Sequence, residues 1–308
     1  MNRREFLRQV GLVSAGLAVV SPEVLRLAPR ALAAEQPKPV VSVAEGKDYA
    51  ALVSSVLAPL GGMAAFVKPG NRVVVKPNIG WDRKPELAAT THPDVVKALV
   101  QLALGAGAAR VLVFDRPCNE ERRCYTNSGI QAAVQSLNDD RAMCVFMDER
   151  KFVPVDMPNA KSLKQFTFYQ DALEADCYIN APIAKHHGSS GLTLSLKNTM
   201  GVVGGSRGHI HMSLDQRIAD LNTVIKSHLV VIDATRILLR NGPSGGSPKD
   251  VKVLDTLIAS ADPVAADAYA TTLFGMKPED LASTVAAYDL GLGEMDLSKV
   301  QVINNAAA

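Results

Sequence analysis

Short apolar runs rich in β-branched residues alternate along the chain with longer stretches whose apolar positions recur at helical spacing. The runs at 40–43, 73–75, 111–114, 143–147, 177–180, 229–233, 256–260 and 300–303 predict strands. The stretches at 49–60, 93–104, 127–137, 214–226, 263–274 and 278–288 predict helices. This alternation implies an α/β fold, a largely parallel sheet covered by helices, with ligands expected beyond the carboxyl ends of the strands. The polar segment 148–164, which contains Pro154 and Pro158, is either a domain boundary or an excursion. The uninterrupted alternation favours a single α/β domain over residues 34–308.

The first residues break this pattern. Arg3-Arg4 is followed by Phe6-Leu7, an apolar run at 10–20 and the small-residue site Ala31-Leu32-Ala33, which together resemble a twin-arginine export signal. The expected reading is a leader over residues 1–33, recognised by the twin-arginine export machinery, and a periplasmic or otherwise exported mature chain. An apolar run of that length is short of the roughly 20 residues a bilayer span requires, and Arg26 and Arg30 follow it. No stable membrane anchor is expected. Of the 33 basic and 31 acidic residues, the leader carries five and two, leaving 28 against 29. A near-neutral mature chain supplies no general field for nucleic acid.

Cysteine spacing narrows the cofactor question. Cys118, Cys124, Cys144 and Cys177 include no Cys-x-x-Cys pair of the kind that wraps zinc or an iron-sulfur cluster, and the sequence names no resident cofactor. Cys118 and Cys124 either close a small disulfide loop or remain two thiols, while Cys144 and Cys177 fall in apolar runs and read as core.

Polar residues placed directly after predicted strands carry the candidate chemistry. Lys76 and Asn78 follow the run at 73–75, with Pro77 stopping the ladder. In Thr90-Thr91-His92-Pro93 a threonine is expected to cap the next helix and His92 to lie at the surface. The densest stretch runs from Tyr178 to His211 and holds Lys185, His186, His187, Lys197, Asn198, His209 and His211 around a glycine-rich turn. Two chemistries fit it. Lysines and backbone N–H groups bind a carboxylate or phosphate while a histidine moves a proton, or imidazoles bind a transition metal. Asp233 ends a buried run and Asn241 opens a second glycine-rich loop. Asp262-Pro263 reads as a helix N-cap, and Asp267 as an exposed helix charge. Gly105-Ala106-Gly107 precedes a strand and reads as a helix stop, not a dinucleotide fingerprint.

As an ordered set, residues 73–78, Asn180-Ala181-Pro182 with Lys185-His186, Leu196-Lys197-Asn198 with Gly201, residues 241–246 and residues 262–267 resemble the domain of unknown function 362 family. The match runs through most of residues 40–275. The resemblance implies an α/β domain without an established general reaction, seen both with twin-arginine leaders and with ferredoxin-type iron-sulfur segments, the latter lacking here. It implies that the lysines, asparagines and aspartates named above are site residues, without assigning their roles.

The expectation is an enzyme or enzyme-like protein for a small anionic molecule. Lys76, Asn78, Lys185, Lys197, Asn198 and Asn241 would bind it, His186 or His211 would transfer protons, and Asp233 would orient a base or lysine. The alternatives are a non-enzymatic accessory protein for an iron-sulfur or other redox partner, and a metal-binding protein using His186, His187, His209, His211 and Asp233.

Overall fold

A computed structural model describes residues 38–306. The twin-arginine motif and its cleavage site lie outside the described residues. In chain order the elements are β1 (Val40–Glu45), α1 (Tyr49–Leu57), α2 (Met63–Phe66), β2 (Arg72–Pro77), α3 (Pro93–Gly105), β3 (Arg110–Val113), α4 (Glu121–Asn127), α5 (Ile130–Gln135) and β4 (Ala142–Cys144). There follow β5 (Phe152–Asp156), β6 (Gln165–Tyr169), α6 (Gln170–Leu173), β7 (Cys177–Ala181), β8 (Ile183–His187), β9 (Gly191–Thr193) and α7 (Ser195–Asn198). The chain closes with α8 (Leu214–Leu221), β10 (Leu229–Leu238), β11 (Val251–Ser260), α9 (Pro263–Thr272), α10 (Ala282–Asp289) and β12 (Gln301–Ala306).

The main sheet runs β12-β1-β11-β10-β7-β2-β3-β4, with β8 paired to β10 and β9 to β8. Ladders β12–β1, β10–β7, β7–β2, β2–β3, β3–β4 and β10–β8 are parallel, whereas β1–β11, β11–β10 and β8–β9 are antiparallel. The fold is therefore α/β with a mixed, mostly parallel sheet and helices around it. The exception has a local cause: the glycine- and proline-containing turn after β10 sends the chain back along the same strand, which wedges β11 antiparallel between β10 and β1.

Both sheet faces are covered, and the apolar runs show why. In β2, Val73 and Val75 pack with Leu52, Val56, Val95 and Leu99 of α1 and α3, whereas Val74 faces Tyr178, Leu196 and Ile218 on the other side. In β10, Leu229 and Val231 join the first group, and Val230 and Ile232 pack with Ala265, Ala266 and Ala270 of α9. Strands buried on both faces read as continuous apolar runs, which is what made them visible in the sequence.

Several details depart from expectation. The polar stretch 148–164 contributes to the antiparallel β5–β6 hairpin, whose Phe168 bridges to Val203. The single helix expected at 127–137 is two: α4 starts at Glu121 and ends at Asn127, and Gly129, with a φ of 73°, breaks the path before α5. His92, not a threonine, is the N-cap of α3. Its Nδ1 accepts the Asp94 N–H at 3.2 Å while its ring stacks on Tyr49 at 4.1 Å. Thr91 instead accepts the Asn78 N–H at 2.8 Å and donates to the Ala181 carbonyl at 2.7 Å, joining the exits of β2 and β7. All four cysteines are free thiols: Cys118 is exposed and Cys124 is buried in α4, so no bond closes the loop between them.

Candidate functional site

Strand order places the site. From β2 the chain moves outward to β3 and β4, then returns through the β5–β6 hairpin to place β7 on the other side of β2. Loops after β2 and β7 thus depart in opposite directions and leave a crevice at their carboxyl ends. A cavity of about 240 Å³ opens there, lined in part by Lys76, Asp115, Lys185, Lys197, His187 and Arg207.

A continuous polar network forms its floor. Lys76, the last side chain before the proline that ends β2, is 1% exposed and makes a 2.8 Å ion pair with Asp115, just beyond β3. Lys76 Nζ also donates to Asn198 Oδ1 at 2.8 Å, an oxygen that accepts the Asn78 Nδ2 donor at 3.1 Å. Asn78 Oδ1 in turn accepts Lys185 Nζ at 3.0 Å, and Lys185 donates a second bond to the Ala89 carbonyl at 2.6 Å. Asn198 Nδ2 reaches Asn180 Oδ1 at 2.8 Å, across the register pair Lys76–Asn180 of β2 and β7. Each amide uses both its donor and its acceptor ends, as buried polar groups must.

Burial sets the ionisation of these lysines. Desolvation disfavours the ammonium form. It lowers Lys76 against the opposing pull of Asp115, and pushes Lys185 down to about 7 and Lys197 down to about 8. Lys185 has only neutral acceptors, and the partner of Lys197 Nζ is the Met200 thioether at 3.4 Å. Gly201 allows this packing: a Cβ there would overlap both the Asp115 carboxylate and the Lys76 ammonium.

Asp267, expected on an exposed helix face, is fully buried. Its two oxygens accept the Ser195 and Leu196 N–H groups at 2.8 and 3.0 Å, fixing the short helix that presents Lys197 and Asn198. Burial raises its carboxyl to about 7. Asp262 is the expected N-cap, accepting from Val264 and Ala265 ahead of Pro263.

The remaining predicted residues divide. Lys76, Asn78, Lys185, Lys197, Asn198 and His211 line the cavity. His186, Asp233 and Asn241 do not. His186 Nδ1 accepts the Gly242 N–H at 3.2 Å, and Asn241 Nδ2 donates to Asp250 at 2.8 Å. Asp233 is buried and accepts from the His92 N–H at 2.7 Å and from the Thr235 N–H and hydroxyl at 2.9 and 2.6 Å. It ties β10 to the start of α3. Among the described residues no group of three or more His, Cys, Asp and Glu side chains is placed to hold a metal ion.

Of the four clustered histidines, His187 and His211 reach the cavity and differ in chemistry. Burial and the neighbouring Lys197 and Lys185 push His187 down to about 3, so its ring is neutral near pH 7. Its Nδ1 accepts the Ser189 N–H at 3.1 Å, which leaves the ring proton on Nε2 and makes that atom a donor. His211 is exposed and lowered by burial, Lys197 and Arg207, so its free imidazole nitrogen is available as a base.

Residues 73–272 match a family model described as a domain of unknown function, DUF362. The chain belongs to this family. It is 29% identical over 256 residues to a thylakoid-associated protein of Synechocystis, a match spanning 80% of this chain and 77% of the relative. A lactate racemase apoprotein from Thermoanaerobacterium thermosaccharolyticum is similar with 10% identity and a TM-score of 0.42 over 75% of this chain and 56% of the other. A Thermotoga maritima protein shows 12% identity and a TM-score of 0.39 over 75% and 60%. The chain thus spans less than two thirds of either solved structure.

In this DUF362 chain the model's limits enclose the polar network, from β2 through α9. Sequence reasoning overlooked Asp115, Arg116, Arg207 and Thr193. Asp115 carried the same signal as Lys76, a charged residue directly after a buried apolar run. The arginines gave no signal, because loop paths bring them to the cavity. Arg207 donates to the Arg116 and Pro117 carbonyls at 2.7 and 2.8 Å, and Arg116 lies over the Phe152 ring.

Proposed function

We propose that this cavity binds a small anionic molecule and that the protein is an enzyme or enzyme-like binding protein acting on it. One observation supports this above the others: three buried lysines and two arginines meet at one cavity with a single carboxylate, Asp115, among its lining groups. Buried cations without counterions are costly, and an anion in the cavity removes that cost. Lys185 and Lys197 supply charge, the His187 Nε2–H supplies a hydrogen bond, and His211 accepts a proton.

Trp81, the only tryptophan of the chain, lines the cavity and reports its filling. Fluorescence titration with a panel of small carboxylates and phosphates is expected to give saturable binding. Lys197→Met should weaken it at least tenfold, about 1.4 kcal/mol, since Lys197 has no counterion to release. Absence of saturation for every anion, with native protein carrying no small molecule by mass spectrometry, would remove the reading.

We further propose export through the twin-arginine route. The support is the Arg3-Arg4 motif with its apolar run and the small-residue site at Ala31–Ala33. No helix among the described residues is long and apolar enough to cross a membrane. Exchange of both Arg3 and Arg4 for lysine is expected to abolish appearance of the chain outside the cytoplasm in a fractionation assay. Unchanged export would sink the assignment.

A further inference from the structure

Charge accounting around the cavity goes further than the sign of the ligand. Lys76 is matched by Asp115 at 2.8 Å, and Arg116 faces Glu149 at 3.7 Å. Lys185, Lys197 and Arg207 form no ion pair among the described residues. Their polar partners are the Asn78 amide and the Ala89 carbonyl, the Met200 thioether, and the Arg116 and Pro117 carbonyls with the Cys118 sulfur. Two of these cations, Lys185 and Lys197, are 1% and 8% exposed, too buried for water to replace a counterion. The Thr193 hydroxyl, on the same wall, is buried with no hydrogen-bond partner.

Resting on the small-anion reading above, we infer that the natural occupant carries two negative charges, one answered by Lys185 in the interior and one by Lys197 with Arg207. A monoanion would answer only one of the two buried lysines, and the other would remain a neutral amine or an unmatched ammonium. The volume sets the size. A cavity of about 240 Å³ suits a compact ligand such as a phosphate monoester of a short alcohol or a three- or four-carbon dicarboxylate. The shared chemistry is a compact dianion.

Binding of such a dianion draws protons onto the lysines. The titratable or charged groups facing them across the cavity are Lys76, Asp115, Arg116, Cys118, His187, Arg207 and His211, and Asp215 of α8 acts on Lys197 from outside the lining; Asp115 is the single acid of the lining and is already committed to Lys76. Proton uptake on binding is therefore assigned to Lys185 and Lys197, is greatest near pH 8, and fades below pH 6, where both are charged beforehand.

The test uses Trp81 fluorescence and calorimetry on the mature chain at constant ionic strength, with acetate, malonate, inorganic phosphate and sulfate as probes. Malonate, phosphate or sulfate is expected to bind at least tenfold more tightly than acetate, and malonate against phosphate separates the carboxylate from the phosphoryl source. Calorimetry in buffers of different ionisation enthalpy at pH 8 should show net proton uptake. Lys197→Met and, separately, Arg207→Gln should each bring the malonate-to-acetate ratio below about threefold while acetate affinity changes less. Equal affinity for acetate and every dianion overturns the two-charge inference and leaves the small-anion site standing. Failure of all four probes to bind removes both.

Discussion

Asp115→Asn is expected to destabilise the protein by about 3–5 kcal/mol, because it leaves Lys76 as an unmatched buried charge. Asparagine keeps an oxygen for the Ile79 N–H that Asp115 Oδ2 accepts at 2.6 Å, so the loss is chiefly electrostatic. Urea unfolding followed by circular dichroism gives the measurement. Combining Asp115→Asn with Lys76→Met should recover most of the stability, a coupling that a double-mutant cycle isolates. An Asp115→Asn protein with the unfolding midpoint of the original would show that the pair carries no such energy.

The second large effect is one of pH. The ligand-free protein is expected to gain stability as pH rises from about 7 toward 9. Lys185 sits near 7 and Lys197 near 8 in the folded protein, against an ordinary value of 10.5. In that window the unfolded chain therefore holds protons that the folded chain has released, and stability rises with pH. The contribution of these lysines is complete above the unfolded value and is lost as pH falls through the folded ones. Asp267, raised to about 7, works in the opposite sense but below this window, losing its contribution as pH rises from about 4 to 7. Lys185→Met should flatten part of the slope while abolishing high-affinity anion binding. Parallel stability curves for the two proteins between pH 7 and 9 would rule out Lys185 as the source.

The sheet was legible where strands are buried on both faces. β2, β7 and β10 each announce themselves as apolar runs, and the residues that break those runs, Lys76, Asn180 and Asp233, are buried and hydrogen-bonded. The β5–β6 hairpin was not legible because one of its faces is wet and Pro154 interrupts it. β8 and β9 were hidden for a different reason: their short lengths and the histidines in β8 resemble a loop until β10 supplies the partner.

Site residues followed the same division. Lys76, Lys185 and Lys197, which line the cavity, stand out because a charge inside an apolar pattern needs an explanation, and Asp115 carries the same signal. Asp267 was misread because helical spacing relates it only to Asp262, while its partners, the Ser195 and Leu196 N–H groups, come from a segment about seventy positions earlier. Asp233 looked equally chemical in sequence. What separates it from Asp115 is the His92 backbone, which no local pattern reveals.

The insertion of β7 between β2 and β10 has a consequence for how the chain matures. Lys76 and Asn78 wait on β2 for Asn180 and Asn198, and β7 and β8 wait in turn for β10, synthesised about fifty residues later. The cavity wall closes only with Pro243. During synthesis, then, the buried lysines have no completed shelter until most of the chain has left the ribosome, and such non-local pairing is slow. Capture of the proposed anion would therefore await the chain through Pro243, and would report that β2, β7, β8 and β10 have come together.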